Sequence, residues 1–380
     1  MKDLGALLDR FASLEGSPRN RRLAASDERV SFHVGLGRSV WKRVLGFSLL
    51  DYFAKPEVTV EAQIRWKLFW HDSIPDDTVI GGELGLDFGV ALEPSLFGVG
   101  QHFSEDTDPM YAQPVIKERG DLGKLRLPDF RTSGLMPRIH RHYEDMVRLA
   151  AGKVPVRFPG WARGPWSLAC MLRGFNELYL DVADDPDFVR ELLDFIVESR
   201  IAWETQRCSF LGIDVTDKAY EWQYVVYRRV SNSEMFNDEV DGTLFSPDTY
   251  AEVILPAERK LRDFYGATRY YHSCGNMTPF LPALRALEPA LMHISRSTDV
   301  AVADAVFPAS TRFQCCMHPI DDVLDADEAK MASSIASILA PIGKGRRVEV
   351  WADAIYRGGQ DSIDKVQAWL RAARSFHAEL

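Results

Sequence analysis

At 380 residues, 46% of them hydrophobic, the chain can bury one large core or two ordinary ones without staples. A net charge of −10, with no lysine and arginine cluster interleaved with aromatics, excludes a nucleic-acid footprint and favours a small-molecule partner. No apolar run approaches the roughly 20 residues of a membrane span, and five cysteines, an odd number, argue for free thiols rather than a disulfide framework.

The amino terminus, MKDLGALLDRFASLEG, mixes charge into an amphipathic pattern and lacks the apolar centre of a signal peptide. A helical extension over about 1–28 and a cytoplasmic location are therefore expected. A first strand over 30–35 leads into FHVGLGRSVW, where His33, Arg38 and Trp41 are candidates to line a pocket. Neither GLGRSV nor GVGQHF completes a dinucleotide fingerprint, and no P-loop is present. Trp66, Phe69 and Trp70 read as helix packing.

A second strand is expected over 78–82. Residues 98–136 then break the rhythm with turn formers and charge, an insertion of the kind that serves as a lid or docking element. The third strand, 154–158, continues into RFPGWARGPW, whose Arg157, Trp161, Arg163 and Trp166 could hold an anionic or aromatic substrate through hydrogen bonds and stacking, or equally form a salt-bridged arginine with packed tryptophans. DDPDFVRELLDFIVESR opens a helix over 186–204 with an acidic first turn and a proline.

A fourth strand is expected over 225–230. After it, FNDEVDG offers Asp238 as a group able to orient an imidazole or move a proton, with Glu239 and Asp241 assigned to a reverse turn. Helices over 246–265 and 278–287 alternate with strands over 269–272, 291–295, 312–316 and 348–351. Eight strands separated by helices predict one α/β domain, a (β/α)8 TIM-type barrel with its chemistry at the carboxyl ends of the strands.

Two of those ends carry metal-binding side chains. In RYYHSCGN, His272 and Cys274 are two apart and share a face of the strand, so both can reach one ion, and zinc accepts nitrogen and sulfur together. RFQCCMHP places one of Cys315 and Cys316 inward, and VWADAI brings Asp353 to the last strand end. His318 is expected to cap the following turn.

These segments together resemble the uroporphyrinogen decarboxylase superfamily over most of the chain. RGPWSLACMLRGFNELYLDVADDPDF resembles its Gly-Pro segment and helix start, NDEVDGTLFSPDTYAEVILP its acidic pair and Ser-Pro cap, and YHSCGN its His-x-Cys-Gly-Asn signature. The arginine-rich segment with which the decarboxylases grip propionates is absent; only Arg38 and Arg43 fall there. The resemblance therefore points to the branch of corrinoid-linked zinc methyltransferases. It implies zinc on His272 and Cys274, with Cys315, Cys316 or Asp353 in place of the family's late cysteine unless the site has lost its metal. Asp238, as a group that orients the imidazole or as an acid, and His272 are the candidate catalytic residues.

It further implies a methyl group passing between a small-molecule donor and a corrinoid (cobalamin) carried by a partner protein, or a thiol acceptor. The alternatives are a metal-free decarboxylase-like lyase using Asp238 and His272 on protons, and a barrel that binds a small molecule without turnover. The sequence leaves self-association open.

Overall fold

The computed structural model describes residues 4–217, 220–224, 228–231, 234–239 and 244–377. Eight short strands contribute to the barrel: Val30–Leu36 (β1), Leu84–Gly85 (β2), Val156–Arg157 (β3), Met235–Glu239 (β4), Thr268–Ser273 (β5), Leu291–Ile294 (β6), Arg312–Cys316 (β7) and Val348–Ile355 (β8). Six of them form one parallel ladder in the order β4, β5, β6, β7, β8, β1. The first strand thus lies beside the last, as a closed eight-stranded arrangement requires.

Closure through β2 and β3 uses individual bonds in place of a ladder. Leu84 and Gly85 pair in parallel with Val156 and Arg157. Beside β1, the Asp77 amide donates to the Phe32 carbonyl at 2.8 Å. The Asp77 and Asp76 carboxylates accept the Phe32 and Val34 amides at 2.7 and 3.3 Å. Two aspartates therefore stand in for the missing strand edge, which explains why no strand forms over 78–82. Between β3 and β4, Arg163 and Asp238 form a parallel bridge, with bonds from Asp238 N to Ala162 O (3.0 Å) and Gly164 N to Asp238 O (3.1 Å).

Alternation along the strands divides the apolar residues into two clusters. Outward-facing Phe32, Val34, Met292, Phe313, Cys315 and Val350 join the large core under the helices, whereas Ala162, Phe236, Tyr270 and Leu291 fill the inside of the barrel. Trp66, Phe69 and Trp70 do pack among helices, against Trp41 and Tyr52.

The fourth strand departs from its expected position. Residues Glu221–Tyr224 and Arg228–Ser231 form an antiparallel hairpin outside the sheet, and β4 lies beyond it at Met235–Glu239. Residues 225–227 and Asp241 lie outside the described residues. Sequence pattern missed β4 because Asn237, Asp238 and Glu239 are consecutive polar residues that are all buried, so the strand shows no apolar alternation. Elsewhere the readings are closer: helix Pro186–Leu211 runs seven residues past the expected end. The expected 278–287 helix is broken into Thr278–Phe280, Leu281–Leu284 and Arg285–Leu287, with prolines at the start of the first two pieces.

In the 98–136 segment, Gln101–His102 pairs antiparallel with Met110–Tyr111, and a 3₁₀ turn spans Arg119–Lys124. The amino-terminal region carries the helices Leu4–Ala12 and Pro18–Ala24. No helix among the described residues is long and apolar enough to cross a membrane.

Where β3 gives way to a loop, buried carboxylates satisfy its amides. Glu204 accepts from Trp161 N at 3.1 Å, Glu93 from Ala162 N and Arg163 N at 2.8 and 3.1 Å, and Glu239 from Trp166 N and Ser167 N at 3.2 and 2.7 Å. A Cβ at Gly164 would meet Glu239 Oε1 at 2.1 Å. Gly164→Ala must therefore displace a buried, bonded carboxylate, and a stability loss of about 1–3 kcal/mol is expected from overpacking, read as a lower denaturant midpoint with unchanged slope.

Candidate active site

Period-two alternation and the β4–β5 register, Asp238 opposite His272, bring both side chains to the inside of the barrel. His272 Nδ1 lies 2.7 Å from Asp238 Oδ1, and Asp238 Oδ2 lies 2.8 Å from Arg163 Nη2. Both oxygens of this carboxylate, only 3% exposed, are thus engaged by cationic or proton-bearing groups. The other imidazole nitrogen, His272 Nε2, faces Cys274 Sγ at 3.6 Å. Cys274 is exposed at the mouth. Its loop is pinned by Ser295 Oγ, donating to Gly275 O at 2.9 Å, and by Thr298 Oγ1, accepting from Met277 N at 3.0 Å.

The pair has the geometry of two ligands on one ion. Tetrahedral zinc, with Zn–N about 2.0 Å and Zn–S about 2.3 Å, holds its nitrogen and sulfur ligands about 3.5 Å apart. A carboxylate on the far ring nitrogen, as Asp238 is here, fixes the tautomer that turns Nε2 toward a metal. Among the described residues no third histidine, cysteine or carboxylate completes a metal-sized group with them.

Of the expected third ligands, Cys315 faces the outer core, fully buried, and burial pushes its thiol pKa up. Cys316, half-buried, shares the inner face with Gln314, which accepts a hydrogen bond from Tyr270 inside the barrel. Asp353 and Ala354 together oppose Gly35, because the β1–β8 register slips between Val34 and Leu36. Ala354 takes a φ of 58° and its amide donates to Asp353 Oδ1 at 2.7 Å. At this bulge Asp353 lines a small pocket with Arg38, Trp41 and Tyr356, and its charge adds to burial in raising the Tyr356 pKa. His318 caps the turn after β7, its Nδ1 accepting from Asp321 N at 3.0 Å.

Beside this cluster lies a cavity of about 500 Å³, mostly apolar, with Leu86, Phe88, Val90 and Met110 in its walls and Arg38, Glu93, Arg163 and Tyr356 among its polar lining. Asp106 to Met110, from the 98–136 segment, close one side. Arg38 is in this lining, as expected from the sequence, but its guanidinium is held by Asp87 at 2.5 Å and Asp108 at 2.6 Å and is 5% exposed.

The other expected substrate residues sit elsewhere. Arg157 pairs with Glu83 at 3.0 Å, and β3 has ended before the mouth is reached. Trp161 packs against Phe97 and Trp203, and Trp166 against Tyr179 and Phe245, each 1% exposed in the outer layer. His33 stacks on Trp351 at 4.7 Å and lines a cavity at the opposite end of the barrel.

Glu93, Asp108, Tyr356 and His293 were not singled out by sequence reasoning. His293, whose ring centroid is 4.4 Å from that of His272, was legible as an inward position on β6; the others depend on loops that only the fold brings together.

The family model described as "Uroporphyrinogen decarboxylase (URO-D)" matches residues 42–205. Among solved structures, a methyltransferase from Methanosarcina mazei aligns with a TM-score of 0.64 over 97% of this chain and 98% of its own, at 16% identity. This chain has the α/β barrel fold of that structure. No curated protein matches its sequence. The matched family span ends before β4, so Asp238, His272 and Cys274 all fall outside it, and their arrangement rests on this chain's own geometry.

Burial works against charge on His272, but the Asp238 carboxylate and the Cys274 sulfur outweigh it and lift the imidazole to about 10. With the folded value raised above an ordinary 6.5, the ion pair contributes fully below about pH 6.5 and is lost as pH rises through about 10. In metal-free protein the imidazole NMR resonances of His272 should titrate near 10, and Asp238→Asn should bring that midpoint down by more than one unit. An unchanged midpoint in the variant would mean that Asp238 does not hold the proton.

Proposed function

We propose that this chain is a zinc-dependent methyltransferase of the uroporphyrinogen decarboxylase superfamily, moving a methyl group between a small neutral donor and a corrinoid or thiol acceptor. The observation that carries this reading is the His272 Nε2–Cys274 Sγ pair, spaced as two zinc ligands, with Asp238 on the far side of the imidazole. Zinc held there would supply Lewis acidity, polarising a bound oxygen or lowering the pKa of a bound thiol. Cys316 or Asp353 is the proposed source of a further ligand.

The chain's own residues would do the remaining work. Arg163 neutralises Asp238, and Asp238 keeps the imidazole turned with Nε2 toward Cys274 Sγ. The apolar walls Leu86, Phe88 and Met110 would accept a methyl-bearing group and exclude water from it. Asp106 to Met110 lie where an acceptor protein would approach the mouth.

Decarboxylation is less well supported. The two arginines of this cavity are already engaged, Arg38 by two aspartates and Arg163 by Asp238, so neither is left to grip a carboxylate substrate. The lyase reading keeps one supporting observation, the short Asp238–His272 bond that could hand on a proton.

Protein purified without added metal should contain close to one zinc per chain, and Cys274→Ala should lose most of it while keeping its melting transition. Full zinc in that variant would refute the ligand assignment; a metal-free wild-type chain active as a lyase would favour the alternative. Zinc retention should also weaken as pH falls, since the metal competes with a proton on Nε2.

With zinc-loaded protein, reduced cobalamin and candidate methyl ethers or alcohols, methylcobalamin formation should fall at least 100-fold in His272→Ala, followed by its absorbance. An equal rate in the variant would remove the site from the reaction.

A further inference from the structure

At the end of the barrel opposite Cys274, the electrostatics reverse. A cavity of about 570 Å³ opens among the amino-terminal ends of β1, β7 and β8 and the helix Gln360–His377. Arg22, Arg29, Arg312, Arg347 and Arg374 line it, against Glu28 and Asp77.

Two of the five cations have carboxylate partners: Arg374 pairs with Asp77 at 2.5 Å and Arg312 with Glu349 at 2.6 Å. Among the described residues no ion pair engages Arg22, Arg29 or Arg347; Arg347 reaches only the Asp27 carbonyl at 3.4 Å. Three such guanidinium groups around one cavity repel one another, and they do so in a chain whose net charge is −10.

Two N–H groups at the wall add to the imbalance. Arg29 Nη1 and Arg312 Nε are enclosed with no acceptor, a cost that rotation of either side chain toward a bound oxyanion would remove. Guanidinium groups match phosphate and carboxylate through paired, charge-assisted bonds, and several in one concave site favour a ligand with more than one such group. Apolar contact from Leu23, Pro75 and Val348 leaves room for a small organic body.

The inner wall closes the cavity off from the barrel interior. His33 stacks on Trp351, whose Nε1 donates to Glu349 Oε2 at 3.0 Å, while the other oxygen of Glu349 accepts from Arg312. An occupant here would contact Arg312 and His33 but none of the residues around Cys274.

We infer that this cavity is a second ligand site, which binds a small molecule bearing two or more oxyanion groups, phosphate or carboxylate. It is independent of the chemistry proposed for the mouth.

Isothermal titration calorimetry at low ionic strength, with inorganic pyrophosphate and with citrate as separate probes, tests it. At least one should bind saturably with one site per chain, and the one that binds assigns the ligand as phosphoryl or carboxylate. Arg22→Ala/Arg347→Ala, which alters two exposed side chains, should weaken it at least tenfold. His272→Ala should leave it unchanged. If the double variant melts below wild type, Arg347→Gln alone replaces it and should weaken binding at least threefold. No saturable heat with either probe, undiminished binding in the arginine variants, or loss in His272→Ala would each overturn the inference.

Discussion

The Asp238 carboxylate is where closure of this barrel and its candidate chemistry meet. Its backbone forms the bridge that joins β4 to the segment following β3, and its side chain takes Arg163 on one oxygen and His272 on the other. A carboxylate this deeply buried is tolerated only when its charge is matched and its lone pairs are filled. Arg163 and His272 do both, so the strand that closes the ring and the imidazole that faces Cys274 are held by the same group. Removing either partner would leave a buried charge uncompensated inside the barrel.

Carboxylates recur wherever the sheet lacks a ladder. Asp76 and Asp77 accept the amides of β1 where a neighbouring strand would have done so. Glu204, Glu93 and Glu239 do the same along residues 161–167. A backbone N–H enclosed by protein must find an acceptor, and here an acidic side chain supplies it without the geometric demands of a paired strand. The second of these segments borders the mouth cavity, and the bonds give the loop carrying Ala162 and Arg163 a fixed course.

The two ends of the barrel are chemically distinct. At the mouth, cations are matched by carboxylates, and what remains is an apolar cavity beside a thiol and an imidazole. At the opposite end, arginines outnumber the acids around them. Between the two, Tyr270 with Gln314 and Trp351 with Glu349 fill the interior with hydrogen-bonded pairs. Fixed polar layers of this kind keep the two environments separate, because neither water nor a ligand can pass a packed interior.

Sequence alone determined the architecture and the central pair. Alternation of short β-branched runs with helical periods set the barrel, and spacing by two placed His272 and Cys274 on one face, since side-chain direction along a strand is a local property. It misplaced β4, because three consecutive buried polar residues leave no hydrophobic signal. It left Arg157, Trp161 and Trp166 open between a pocket and a salt bridge with packed rings, and the structure decides for the second, because their partners, Glu83, Phe97 and Phe245 among them, come from distant segments. Tertiary structure decided that Cys316 rather than Cys315 faces inward, that a bulge falls at Asp353, and that Arg38 is held by two aspartates. Each of these depends on register and on contacts between residues far apart in the chain, where local periodicity carries no information.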